Sequence, residues 1–480
     1  MHISSYSKKC KSRILIISLL IFILLIIIIS KIASLKEKII IIGIDGADPD
    51  VIRELIANRD IPNLEFLIKN GCFGIHNPKE DLHSLWSPVI WTSVATGRSP
   101  EYHGINSELC EDLYDNSAIF FALSKYRKVP ALWDIFSQYG KQVAIINWWV
   151  TFPASKVKGC MVTSFAFNIF KDIAEIFLKK NNVTTKLNFK NLKGFTYPQN
   201  LLYDLKEIIH NPHYENEMDI KLKQISKKLS DVLISDKTEV EVFDPQPKSA
   251  KVFYKLKDLA AFYELDKEVL AITEHLLNRT TSPDLVMTYF LGVDTFSHIF
   301  WYYRCKDFLD CYQKEKQPFY NKNYCHLVNN YYKIIDAYIG KILKFSNKND
   351  IIIVCSDHGF ELRNDFAHQL MQGRIRTGEH RSKGVIFIYG NHIKKNIFLP
   401  QVSLLDIFPT VLYLKGLPLS KDLEGRILFE CIDDKFSGQR KPVFVQKYRF
   451  TTIKSSDKDF ETCPFREDML KRLRTLGYLN

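Results

Sequence analysis

Three apolar runs, 38–45, 284–290 and 350–356, the first and last of them mostly β-branched, restrict what this chain can fold into. Each is apolar at consecutive positions rather than at alternate ones, so each reads as a strand buried on both faces. Such strands belong to parallel sheets with helices packed on either side. Further strand patterns lie at 142–147 and 384–389, and helical spacing lies between them at 51–56, 61–71, 87–95, 131–136, 332–343 and 404–414. Alternating strands and helices predict an α/β fold with a parallel or mostly parallel sheet.

Ligand sites in these sheets gather at the carboxyl ends of the strands, and there the chain places acids and imidazoles. The first run ends on Asp45, the second leads into Asp294 and His298, and the third ends on Asp357 and His358; His380 follows in Thr377-Gly378-Glu379-His380. Asp294 and His298 are four residues apart, which puts them on one face of a helix. Any one of these residues has an ordinary alternative: Asp45 as a helix cap, His298 as a core histidine beside Trp301, His380 on a surface loop. Three Asp and three His at matching places instead form a ligand set suited to Zn²⁺, or to Mn²⁺ and related ions.

Residues 14–33 form an almost unbroken apolar stretch, close to the roughly 20 residues a membrane span needs. Lys8, Lys9, Lys11 and Arg13 precede it, so the expectation is a cytosolic basic tail over 1–13, an uncleaved signal anchor, and a catalytic part outside the cytoplasm. Lys31, Lys36 and Lys38 weaken that orientation. The net charge of +12 is spread along the chain without a basic block. It favours an anionic substrate or surface over nucleic acid, and no nucleic-acid-binding motif is found. The ten cysteines follow no metal-type CxxC pattern; Cys305, Cys311 and Cys325 cluster where an oxidising compartment would allow a bridge.

Taken together, several motifs resemble the type I phosphodiesterase / nucleotide pyrophosphatase family of the alkaline phosphatase superfamily. They are Ile-Gly-Ile-Asp-Gly-Ala-Asp ending at Asp48, Ile61-Pro62-Asn63-Leu64, Ser-Pro-Val-Ile-Trp-Thr-Ser-Val-Ala-Thr-Gly ending at Gly97, and His103-Gly104-Ile105. Further along come Gly-Val-Asp-Thr-Phe-Ser-His ending at His298, Ser356-Asp357-His358-Gly359-Phe360, Gly378-Glu379-His380, the helix from Leu405 to Thr410, and the chain end from Leu470 to Leu479. The resemblance implies a three-layer α/β/α sandwich over 38–164 and 284–480, with 165–283 as a mostly helical cap insertion. It also implies two divalent metal ions, Zn²⁺ foremost. Asp294, His298 and His380 would hold one; Asp45, Asp357, His358 and the nucleophile would hold the other.

Superfamily spacing puts the nucleophile nine residues before Thr96, at Ser87 rather than at Thr92. Ser87 also stands where an N-cap should be, with Pro88 at the first helical position, and free N–H groups there favour an alkoxide and an incoming phosphate. The chain departs from many relatives in carrying Ser where they carry Thr, and Glu108 where they carry a phosphate-contacting Asn, so nucleotide preference does not follow. The expectation is a membrane-anchored hydrolase of phosphate esters, diesters before monoesters, acting on a small molecule or lipid headgroup through a phospho-Ser87 intermediate. One rival is a transferase that moves a phosphorylated headgroup onto a lipid or glycan. A sulfatase is disfavoured because the Cys/Ser-x-Pro-x-Arg pattern is missing after Ser87. A catalytically silent binding protein would need ligand losses, and the sequence has none.

Overall fold

The computed structural model describes residues 37–106, 123–164, 194–209, 239–242, 252–279, 283–304, 324–365 and 377–450, with isolated helical positions at 224–229. The basic tail, the 14–33 stretch, Glu108, Cys305, Cys311 and the 470–479 motif lie outside the described residues. Among the described residues, no helix is long and apolar enough to cross a membrane.

Nine strands form one sheet. At its centre Ile39–Ile44 lies between Leu285–Phe290 and Ile351–Cys355, parallel to both. Beyond Leu285–Phe290 come Val143–Ile146 and Gly159–Val162, also parallel, and then the antiparallel edge strand Thr196–Tyr197. On the other side Gly384–Gly390 runs antiparallel to both its neighbours, Ile351–Cys355 and Cys72–His76, and Ile397–Leu399 closes that edge. The sheet is therefore mostly parallel, as the doubly buried runs require. Ile39 through Ile42 and Ile351 through Val354 are at most 1% exposed. Truncating one such isoleucine to alanine would cost about 2–5 kcal/mol.

Successive strand residues face opposite layers, and Leu285–Phe290 shows what covers each. Thr288 Oγ1 meets Thr273 Oγ1 of the helix Leu256–Leu277 at 2.9 Å. The next residue, Tyr289, packs edge-on against Trp91 of the helix Ser87–Thr96, with ring centroids 5.2 Å apart. Helices thus cover both faces, giving three layers. On the first face Gly292–Arg304, Leu327–Lys344 and Leu256–Leu277 pack together. On the second, Ser87–Thr96 packs with Ile407–Leu414.

The expected insertion over 165–283 needs correction at its edges. Thr196–Tyr197 is a strand of the main sheet, and Leu256–Leu277 covers that sheet. Between them, the described elements are the helix Leu201–Ile209 and the hairpin Glu239–Val242/Val252–Lys255. A helix that covers a sheet and one that caps it have similar apolar stripes, so periodicity could not place the boundary.

Candidate active site

Register brings the site together. Gly43 lies level with Tyr289 on one side and Cys355 on the other. Two residues further along, Asp45 comes level with Asp357, and both are fully buried. The turn after Asp45 is held by Gly46, whose N–H donates to Asp357 Oδ1 at 3.0 Å. Gly46 has φ +70°, and a Cβ there would stand 2.5 Å from the Phe360 ring and 3.1 Å from the Asp294 backbone, so only glycine fits. Asp294 lies in the first turn of Gly292–Arg304. The start of that helix is fixed by the buried Asp266, which accepts the N–H groups of Leu291 and Gly292 at 3.0 and 2.9 Å. His298 follows one turn on, with Nε2 3.4 Å from Asp294 Oδ1.

His358 and His380 come from a hairpin that sequence reasoning did not anticipate. Gly359–Leu362 pairs antiparallel with Gly378–Arg381, setting Phe360 opposite His380. The rings of His358 and His380 stack at 3.7 Å. Phe360 is buried among the three imidazoles and lies edge-on to each, 4.8 Å from His298, 5.6 Å from His358 and 5.4 Å from His380.

All three imidazoles turn the same atom inward. His298 Nδ1 meets Gly378 O at 3.2 Å, His358 Nδ1 meets Gly359 O at 3.1 Å and His380 Nδ1 meets Leu85 O at 3.0 Å. A carbonyl can only accept, so each Nδ1 carries the proton and each Nε2 offers a lone pair, the arrangement of metal-ligating histidines. These lone pairs converge: His298 Nε2 and His380 Nε2 are 2.8 Å apart. His380 Nε2 is 3.2 Å from Asp294 Oδ1, and His358 Nε2 is 3.4 Å from Asp45 Oδ1 and 3.3 Å from Asp357 Oδ2. Both carboxylate oxygens of Asp294, Oδ2 of Asp357 and Nε2 of His358 are buried without a hydrogen-bond partner among the described residues. Buried polar atoms left in this state cost stability unless something binds them.

The charges agree. Burial, then repulsion from Asp357 and Asp294, raises the Asp45 carboxyl well above its ordinary range, against which the Tyr289 hydroxyl hydrogen bond works. Asp294 moves the other way: burial would raise it, but His298 and His380 together outweigh that and hold it well below. Burial is the largest influence on His358 and His380 and lowers both, which favours the neutral imidazole that a metal needs. Three buried acids and three imidazoles make a site that fits divalent cations. Two groupings have ligand atoms within 4.8 Å of one another: Asp294, His358 and His380, and Asp45, Asp357 and His358. Among the described residues His358 falls in both groupings and His298 in neither, whereas the expectation put His298 with Asp294 and His380 and gave His358 to the other set alone.

Ser87 sits beside this cluster. It is fully buried, and its hydroxyl donates to Asp45 Oδ1 at 3.3 Å. The N-cap is Trp86, so Ser87 is the first helical residue and Pro88 the second, one place later than expected. Proline is accepted at either position, which is why the register could not be read. The consequence is chemical: the Ser87 hydroxyl caps no N–H and is turned to the carboxylate. Thr92 faces away from this role, its hydroxyl donating to Pro88 O at 2.6 Å within the helix.

Sequence reasoning missed two residues that hold the site. Tyr289 donates its hydroxyl to Asp45 Oδ2, and the signal was a phenol inside a strand buried along its whole length, where it needs a partner. Asp48 ties several segments together and is taken up below. Among the described residues, Cys72, Cys160, Cys355 and Cys431 are free thiols.

The model of the type I phosphodiesterase / nucleotide pyrophosphatase family matches residues 39–378, well over half of the chain. The chain belongs to that family. It is accordingly a phosphoester hydrolase. No curated protein sequence matches it. Among solved structures, murine ectonucleotide pyrophosphatase / phosphodiesterase 5 is similar at 11% identity and a TM-score of 0.41, over 82% of this chain and 98% of that one. The phosphonate monoester hydrolase of Silicibacter pomeroyi aligns at 12% identity and a TM-score of 0.40, over 86% and 78%. A sulfatase-like protein from Bacteroides thetaiotaomicron aligns at 14% and 0.42, over 82% and 74%.

Proposed function

We propose that this family member cleaves phosphodiesters with Ser87 as nucleophile, beside two divalent cations, zinc foremost, held by Asp45, Asp294, His298, Asp357, His358 and His380. The observation that carries the reading is the inward convergence of three Nε2 lone pairs on buried, unpartnered carboxylate oxygens next to a serine hydroxyl. Bound there, such ions supply Lewis acidity that lowers the hydroxyl pKa and neutralises phosphoryl oxygens. The chain's own part is placement. The helix start and the hydrogen bond to Asp45 hold Ser87 Oγ at the cluster's edge, and helix N-terminal N–H groups favour a phosphate in front of it. Attack by Ser87 Oγ forms an O–P bond and breaks the bond to one ester alcohol, which leaves with a proton. Water then breaks the Ser87–phosphorus bond, giving a phosphate monoester and free serine.

We further propose that the 14–33 stretch anchors the enzyme with its catalytic part outside the cytoplasm, and that residues between the edge strand and Leu256–Leu277 select the substrate. Transfer of a headgroup to a lipid or glycan is the competing outcome. The test is turnover of a panel of phosphate mono- and diesters by metal-free and zinc-restored enzyme. Diester hydrolysis that returns with zinc supports the reading. Activity unaffected by chelation, or release only of acceptor-transferred product, contradicts it.

A further inference from the structure

The cluster is assembled from four parts of the chain, and one buried carboxylate outside the ligand set ties three of them. Asp48 is 1% exposed. Its Oδ1 accepts the N–H groups of Asp50 at 2.8 Å and Val51 at 3.2 Å, which caps the helix Pro49–Ala57. That alone is an ordinary N-cap. The other oxygen does something a cap does not need: Oδ2 accepts Phe360 N–H at 3.1 Å and Arg381 Nη2 at 2.7 Å. The Asp48 N–H donates to Tyr332 Oη at 2.8 Å, whose hydroxyl donates to Gly46 O at 3.3 Å. So the turn after Asp45, the strand after His358 and the residue after His380 all meet at Asp48. The approach is close enough that a Cβ on Gly359 would stand 2.4 Å from Oδ2.

We infer that Asp48, together with Arg381, is a positioning residue that holds His358 and His380 in register with Asp45, so that the three segments bind metal as one site. The inference rests on the reading of the cluster as a metal site. An asparagine at 48 can keep one oxygen for the helix cap, but its amide nitrogen cannot accept from Phe360 or Arg381. Capping and positioning are therefore separable by a single substitution. Arg381 is 24% exposed in its side chain, so its replacement tests the same tie from the solvent side.

The experiment titrates metal-free full-length wild type, Asp48→Asn, Arg381→Gln and the double variant with Zn²⁺ against a chromophoric chelator, alongside thermal melts without metal. Each single variant should bind zinc about 10–100-fold more weakly, as removal of outer partners of metal ligands does, while remaining cooperatively folded. The double variant should lose less than the two single losses combined, because both changes break the Asp48–Arg381 pair, while Asp48→Asn alone also loses the Phe360 N–H and Arg381→Gln alone also loses Asp50. Should Asp48→Asn fail to fold, Arg381→Gln decides. Wild-type zinc affinity in folded variants overturns the inference alone. A wild type that binds no zinc overturns the metal reading and this inference with it.

Discussion

Replacing Ser87 by alanine and Thr92 by valine separates chemistry from packing within one helix. Both hydroxyls are buried, and the two residues are five positions apart, roughly 7 Å along the axis. The Ser87 hydroxyl makes one long hydrogen bond, 3.3 Å to Asp45. Its loss should cost at most about 1 kcal/mol. The Thr92 hydroxyl donates to Pro88 O at 2.6 Å. Valine loses that bond, about 1 kcal/mol, and gains a buried methyl, about 0.8 kcal/mol, so the net change is small. Both variants should therefore melt within a few degrees of wild type. Turnover should diverge: kcat should fall on the order of 10³-fold or more for Ser87→Ala, which removes the nucleophile, and by less than about 3-fold for Thr92→Val. The assay is steady-state hydrolysis of a chromogenic phosphodiester at saturating zinc, with melts on the same samples. Equal losses in the two variants, or near-normal turnover by Ser87→Ala, would refute the assignment.

Further outcomes follow from other parts of the structure. Asp294→Asn or His358→Ala should lower bound zinc and abolish turnover, read by metal analysis of purified protein; two metals per chain with full activity would sink the ligand assignment. His103 is buried with Nδ1 accepting Ile105 N–H at 3.1 Å and Nε2 2.9 Å from Ser93 Oγ, and burial, then Arg127, lowers its pKa to about 3. Above pH 6.5 it is neutral folded or unfolded. Between 6.5 and 3 only the unfolded chain takes the proton, so this group removes about 1.4 kcal/mol of stability per pH unit as pH falls. Urea melts of His103→Gln should show a shallower loss over that range, and an unchanged slope would contradict the analysis. A reporter fused after Asn480 should be active only outside the cytosol, and cytosolic signal would overturn the anchor proposal.

The sheet's centre was legible because Ile39–Ile44, Leu285–Phe290 and Ile351–Cys355 are apolar on both faces, which few other environments tolerate. The candidate ligand residues were legible for a related reason: acids and imidazoles directly after such runs must sit at strand ends. Cys72–His76 escaped notice because it alternates buried and half-buried residues around Gly74 and looks like a connection. The hairpin carrying His380 escaped because Gly378-Glu379-His380-Arg381 has no strand composition; it pairs only where Asp48 and Arg381 pin it. Such ties join residues more than 300 positions apart, and no local pattern encodes them. The one-residue shift at Ser87 has a local cause, since Pro88 is accepted at either of the first two helical positions and the fold puts Trp86 at the N-cap.

The central claim, that Ser87 carries the phosphoryl group beside the Asp/His cluster, is tested most directly by trapping the intermediate. Zinc-loaded enzyme mixed with excess diester is quenched in acid, digested and sequenced by mass spectrometry. The account predicts one phosphoryl adduct, on the peptide containing Ser87 and localised to that serine, and none in Ser87→Ala. Label on Thr92, or a turning-over enzyme that yields no adduct on Ser87 under any quench time, would contradict it.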